Sequence, residues 1–174
     1  MKILKNKTWA EVTREERVFA EELFRQIKNN PQPFFSLLGK EGNNYDIGFE
    51  VCFFRDVLKL HGKSIKAEQL PLKRTFDLML LSENELLIIE AKAQQGFSRE
   101  QLNDFLSDKE NITKLYQTLN IPVPKVEMYA LYSSKYRPMD ETKKVFTKCI
   151  TWSDISESYK SAHGIFNRAN DLYE

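Results

Sequence analysis

Apolar positions recur along this chain with two different periods, and each period predicts its own kind of element. Phe19, Leu23 and Ile27 fall every four residues, with Ala20 and Phe24 beside them. That spacing predicts a helix over about 13–28, and Thr13 and Glu16 stand at capping-box spacing at its start. Asn29-Asn30-Pro31 ends it, because proline cannot continue the hydrogen-bond ladder. Phe34, Phe35, Leu37 and Leu38 form a short apolar clamp, and 39–45 reads as a polar loop. A second helix is expected over 46–60, stopping before Gly62. On a helical wheel Ile47, Val51, Phe54, Val57 and Leu58 make one broad stripe, and Glu50 falls inside it.

Beyond Gly62 the pattern changes. Residues 64–69 allow a short strand, and 72–81 predict a clear one. A polar turn, Ser82-Glu83-Asn84-Glu85, precedes a strong strand over 86–93. Ser98 and Gln101 can cap a helix whose buried face starts with Leu102, Phe105 and Leu106. Ile112, Leu115 and Leu119 continue the spacing, with room for a break near Asp108. Strands are expected over 126–133 and 147–152. A last helix, capped by Ser153, carries Ile155, Tyr159, Ala162, Phe166 and Ala169 on one side. The central order is helix, strand, strand, strand, helix, strand. It predicts one α/β domain with a mixed sheet flanked by helices. Residues 1–45 read as an N-terminal helical extension, 46–133 as the core, and 134–174 as a C-terminal strand and helix.

Composition narrows the function classes. With 41% hydrophobic and 29% charged residues over 174 positions, the chain has the make-up of a soluble globular domain. No apolar run approaches the roughly 20 residues of a membrane span, and the basic N-terminus lacks a signal-peptide core. A cytoplasmic protein with no membrane partner is expected. Cys52, Cys149, His61 and His163 are isolated and offer neither a redox pair nor zinc spacing. Net charge is +1, so only local charge speaks for nucleic acid. Lys59, Lys63, Lys66, Lys73 and Arg74 face only Glu68 in sequence. Lys135, Arg137, Lys143, Lys144 and Lys148 face Asp140 and Glu141. Either run could contact phosphates, and charge alone favours a solvated surface.

The chemistry comes from the hairpin. Either reading of its turn sets Leu81 opposite Leu86, Met79 opposite Ile88, Asp77 opposite Glu90 and Thr75 opposite Lys92. Opposed residues share a face, about 4.5–5.5 Å apart at Cβ, and alternation places Lys92 on the face of Glu90. Two facing carboxylates repel, and burying them without a partner costs several kcal/mol. A divalent cation relieves both problems, since Mg²⁺ takes hard oxygen ligands. Glu141-Thr142-Lys143 is an internal control: the same Glu-x-Lys spacing in a polar surface stretch. Glu90-Ala91-Lys92 instead ends the apolar run Leu86-Leu87-Ile88-Ile89, and Asp77 interrupts another.

Gly48-Phe49-Glu50-Val51, Thr75-Phe76-Asp77-Leu78 and Ile89-Glu90-Ala91-Lys92 together resemble the PD-(D/E)XK nuclease superfamily. The resemblance covers about half the chain and implies a restriction endonuclease-like αβββαβ core. It implies Mg²⁺ (or Mn²⁺) held by Asp77, Glu90 and the Ala91 carbonyl, with Glu50 completing the site from the first helix. Lys92 would position the attacking water. Gln94 and Gln101 are weaker candidates, and Lys59, Lys63, Lys66, Lys73 and Arg74 would grip the nucleic-acid backbone. The implied reaction is hydrolysis of a phosphodiester, with DNA as the expected substrate and a homodimer as one arrangement for cutting two strands. Thr75-Phe76 stands where the superfamily's name places a proline. Two other readings keep the fold without the chemistry. One is a non-cleaving nucleic-acid- or partner-binding module, or a subunit of a restriction, defence or repair complex. The other is a scaffold in which these charges pair internally.

Overall fold

The computed structural model describes residues 15–41, 44–63 and 70–173. Thr13, Lys66 and the strand expected over 64–69 lie outside them. The four-residue recurrence of Phe19, Leu23 and Ile27 produces helix α1 (Glu16–Asn29), with those side chains and Ala20 buried. Its N-cap is Glu15, with no side-chain cap bond. The apolar clamp forms helix α2 (Gln32–Leu38), closed by Gly39 in the left-handed conformation. These helices are no appendage. Phe19, Leu23, Phe34 and Phe35 belong to the same core cluster as Leu80, Leu87, Ile89 and Trp152. Leu23→Ala is therefore expected to cost about 2–5 kcal/mol of stability, readable from urea unfolding; a cost near zero would make α1 dispensable.

The helix expected over 46–60 is two elements. Strand β1 (Asp46–Val51) comes first and helix α3 (Phe53–Leu60) follows Cys52. Ile47, Phe49 and Val51 alternate with Gly48 and Glu50, which suits a strand as well as a broad helical stripe. Tertiary pairing decides it: β1 hydrogen-bonds to β2 (Phe76–Leu81) from Asp46–Leu81 to Val51–Phe76, and Phe49 stacks on Phe24 of α1. Glu50 thus sits on a strand, at φ 48°, the left-handed region that non-glycine residues rarely occupy. The kink reverses the alternation. Ile47 and Phe49 pack on one side of the sheet, whereas Val51 joins the cluster on the other.

Strand β2 starts later than expected, at Phe76, and runs into β3 (Glu85–Ala91) through a turn closed by Ser82 N–H to Glu85 O at 2.9 Å. Helix α4 (Arg99–Thr118) carries the expected Ser98–Gln101 capping box and passes Asp108 without a break. Strand β4 (Lys125–Tyr132), helix α5 (Asp140–Val145) and strand β5 (Lys148–Thr151) follow. The last helical region is split into α6 (Trp152–Ser158), a 3₁₀ turn (Lys160–Ala162) and α7 (His163–Asp171). Its cap is Thr151 paired with Asp154, not Ser153.

The sheet order is β1-β2-β3-β4-β5, antiparallel across β1–β2–β3 and parallel across β3–β4–β5. The chain is an α/β protein: a five-stranded mixed sheet with seven α-helices among the described residues. Helices α1, α2, α6 and α7 cover one face, and α3, α4 and α5 cover the other. No described helix is long and apolar enough to cross a membrane.

Candidate active site

The β2–β3 ladder runs in the expected register, from Leu81–Leu86 to Leu78–Ile89. Asp77 and Glu90 are the next residue on each strand, just past the last paired rung. Asp77 turns its Oδ2 to accept the Ala91 N–H at 2.8 Å. Glu90 is 7% exposed; its Oε1 accepts from Lys92 Nζ at 2.9 Å, and its Oε2 is buried with no hydrogen-bond partner. Lys92 lies just past β3, anchored by backbone. Its N–H donates to Leu131 O at 2.8 Å, and its carbonyl accepts the Trp152 indole N–H at 2.8 Å. The Lys92–Thr75 pairing does not form: Thr75 precedes β2 and its hydroxyl lies 3.1 Å from Cys52 Sγ.

The electrostatics follow from this geometry. Burial, and then the charge of Glu90, push the Asp77 carboxyl up to about 7; the Ala91 N–H and Lys92 oppose the shift. Burial works against the charge on Lys92, but Glu90, Glu16 and Asp77 outweigh it and hold the ammonium above the usual lysine range. Lys92 is therefore a fixed cation and donor at neutral pH, not a base.

A third acid joins from a helix that the sequence pattern predicted but did not bring to the site. Glu16, in the first turn of α1, accepts the Ala93 N–H at 3.1 Å and lies 4.0 Å from Lys92 Nζ. The sequence carries a signal for it. Glu16 stands in line with Ala20, Leu23 and Ile27, so an acid heads the buried stripe of α1. The capping-box role expected for Glu16 hides that signal. Glu50, expected to come from a helix, lies across the strand pair from Asp77, between the rungs Phe49–Leu78 and Val51–Phe76. Its carboxylate pairs with Arg17 at 2.9 Å.

The other candidates separate into free and engaged groups. Lys59, Lys63 and Lys73 are exposed. Arg74 is not a free surface cation: its Nε donates to Asp108 Oδ2 at 2.8 Å, and it packs over the rings of Phe76 and Phe105. Gln101 is spent on the α4 cap, and Gln94 lies half-buried in the turn after β3. In the second basic run, Lys135 pairs with Asp171 and Lys148 with the Leu37 carbonyl.

Among the described residues, no three His, Cys, Asp or Glu side chains are already gathered as a ligand set. Two carboxylates nonetheless suffice for Mg²⁺, which keeps several waters and takes the remaining oxygens from substrate phosphate. The buried, partnerless Oε2 of Glu90 and the burdened carboxyl of Asp77 fit such an ion. The sequence matches no family model and no curated protein.

Proposed function

We propose that this protein is a divalent-metal-dependent phosphodiesterase acting on DNA, with Asp77, Glu90, Lys92 and Glu16 at its centre. The observation that carries the reading is one buried lysine with Glu90 at 2.9 Å and Glu16 at 4.0 Å, Asp77 near enough to favour its charge, and a buried oxygen of Glu90 left unpartnered. Burying that much charge is costly, and a cation held by Asp77 and Glu90 would offset the cost. The order α1, β1, β2, β3, α4, β4, with α2 inserted before β1 and α3 after it, also supports a restriction endonuclease-like core. On this reading its first helix is α1 and its first strand is β1.

The bound ion would supply a water of lowered pKa and neutralise charge on the scissile phosphate. Asp77 and Glu90 would hold that ion. Lys92, kept protonated by its acidic neighbours, donates to the attacking water and to the phosphate oxygen on which charge develops. Glu16 fixes the ammonium through its 4.0 Å contact while its other oxygen is tied to Ala93. The exposed Lys59, Lys63 and Lys73 would contact the strand backbone.

The deciding experiment incubates the protein with plasmid, linear and branched DNA, with Mg²⁺, with Mn²⁺ and with EDTA. Metal-dependent cuts are expected; DNA retention without cleavage under every condition would favour a binding module. The acid from the helix gives a further prediction. Glu16→Gln keeps an acceptor for Ala93 and is expected to lower cleavage about 10- to 100-fold. Glu50→Gln, at an arginine-paired position, should stay within a few-fold of the parent. The reverse ranking would restore Glu50 to the site.

A further inference from the structure

A cavity of about 470 Å³ opens between residues 70–74 and helix α4. Its volume falls in the range of about 300–1,000 Å³ typical of small-ligand sites. One wall is apolar, formed by Leu70, Pro71 and Leu72. The opposite wall, from α4, carries Asp104, Asp108 and Asn111, and Arg74 lines the same space. We propose that this cavity receives one unpaired nucleobase, from the strand whose phosphodiester lies at Asp77 and Glu90. The strand rests on the phosphodiesterase reading; the base recognition does not.

The case starts with Arg74. Asp108, 2% exposed, holds its Nε at 2.8 Å. The guanidinium carbon lies 5.1 Å from the Phe76 ring centre and 4.6 Å from that of Phe105, so it is clamped in orientation. Nη2 is buried without an acceptor, an unfavourable state that a ligand in the cavity relieves once the side chain shifts to meet it. A ligand acceptor set beside this group would meet a carboxylate next to it. Nucleobase edges have that character: a carbonyl or ring nitrogen beside an N–H donor. Their faces are flat and suit the apolar wall.

The other ligand classes fit less well. A phosphate would meet Asp104 and Asp108, which offset Lys73 and Arg74. A wholly apolar group would strand the Arg74–Asp108 edge. Arg74 precedes Asp77 by three residues, and Glu90 is near enough to add its repulsion to the burial that raises the Asp108 carboxyl. A base held here would therefore belong to a nucleotide close to the scissile one. It must also be out of its helix, because a stacked, paired base cannot offer both its face and its edge to the cavity walls; extrusion from a duplex is unfavourable. Single-stranded or distorted DNA is the substrate class that follows.

Titration calorimetry in EDTA, with GMP and ribose 5-phosphate up to millimolar concentration, tests this without relying on cleavage. GMP should bind at least ten-fold more tightly than ribose 5-phosphate. Ser107→Trp fills the cavity from an exposed position on α4 and leaves the Arg74–Asp108 pair in place; it should remove GMP binding at an unchanged melting temperature. Asp77→Asn should retain it. A single-stranded oligonucleotide should displace GMP at least ten-fold better than the matching duplex. The proposal is overturned by no GMP binding, by equal binding of ribose 5-phosphate, by indifference to Ser107→Trp, or by equal competition from duplex. GMP binding that meets these criteria in a protein that never cleaves DNA would uphold the base site and sink the phosphodiesterase reading alone.

Discussion

Asp77→Asn and Glu90→Gln should each lower Mg²⁺-dependent DNA cleavage by roughly 10²- to 10³-fold, the usual scale for losing a preorganised electrostatic group. Both changes are nearly isosteric, and both keep the local bonds. An Asn oxygen still accepts the Ala91 N–H, and a Gln oxygen still accepts from Lys92. What is lost is the negative charge that would hold a cation. The carboxamide variants are therefore cleaner probes than removal of Lys92, which would leave Glu90 buried beside two other acids, at a cost of about 3–5 kcal/mol. Rates should be measured with circular dichroism confirming the fold. Parent-level activity in either variant would remove these residues from the chemistry.

The second large effect is on stability, and it has the opposite sign. A carboxyl raised from its ordinary value to about 7 binds its proton more tightly when folded than when unfolded. Stability is then lost as pH rises from the unfolded value through about 7, because deprotonation favours the unfolded chain over that window. Asp77→Asn removes the titration. Without metal, the variant should be more stable than the parent at pH 8, by about 1–3 kcal/mol, and the gap should be smaller at pH 5. Urea midpoints at the two pH values in EDTA measure it. Adding Mg²⁺ at pH 8 should stabilise the parent and not the variant, since only an ion that prefers the folded state can shift the midpoint. A gap independent of pH would mean that Asp77 bears no such burden.

Sequence pattern reached the hairpin and stopped short of its surroundings, for identifiable reasons. The rungs from Leu81–Leu86 to Leu78–Ile89 follow from a short turn and strict alternation, so Asp77 and Glu90 could be placed by counting one residue further on each strand. The stretch 46–51 could not. Ile47, Phe49 and Val51 satisfy both periods, and only pairing with β2 separates them. That ambiguity gave Glu50 a helix and drew attention away from Glu16, the acid that does stand on one. Glu16 lies 76 and 77 residues before Lys92 and Ala93, the two residues it meets, and no local pattern records so distant a contact. Arg74 reads from sequence as one cation in a basic run. Its partner, Asp108, comes from a helix whose register only the packed structure fixes.

The Trp152 indole grips the Lys92 carbonyl from sixty residues downstream, while Glu16 reaches the same lysine from upstream. A ribosome releases these parts in order, and the clasp is the last to emerge. A partly synthesised chain would carry the acids and the lysine without the ring that locks them. Under the proposed chemistry, the growing polypeptide is expected to leave nearby DNA uncut until translation has passed β5. The same dependence means that an early stop codon just before Trp152 should yield an inert fragment even though each charged group of the centre is present.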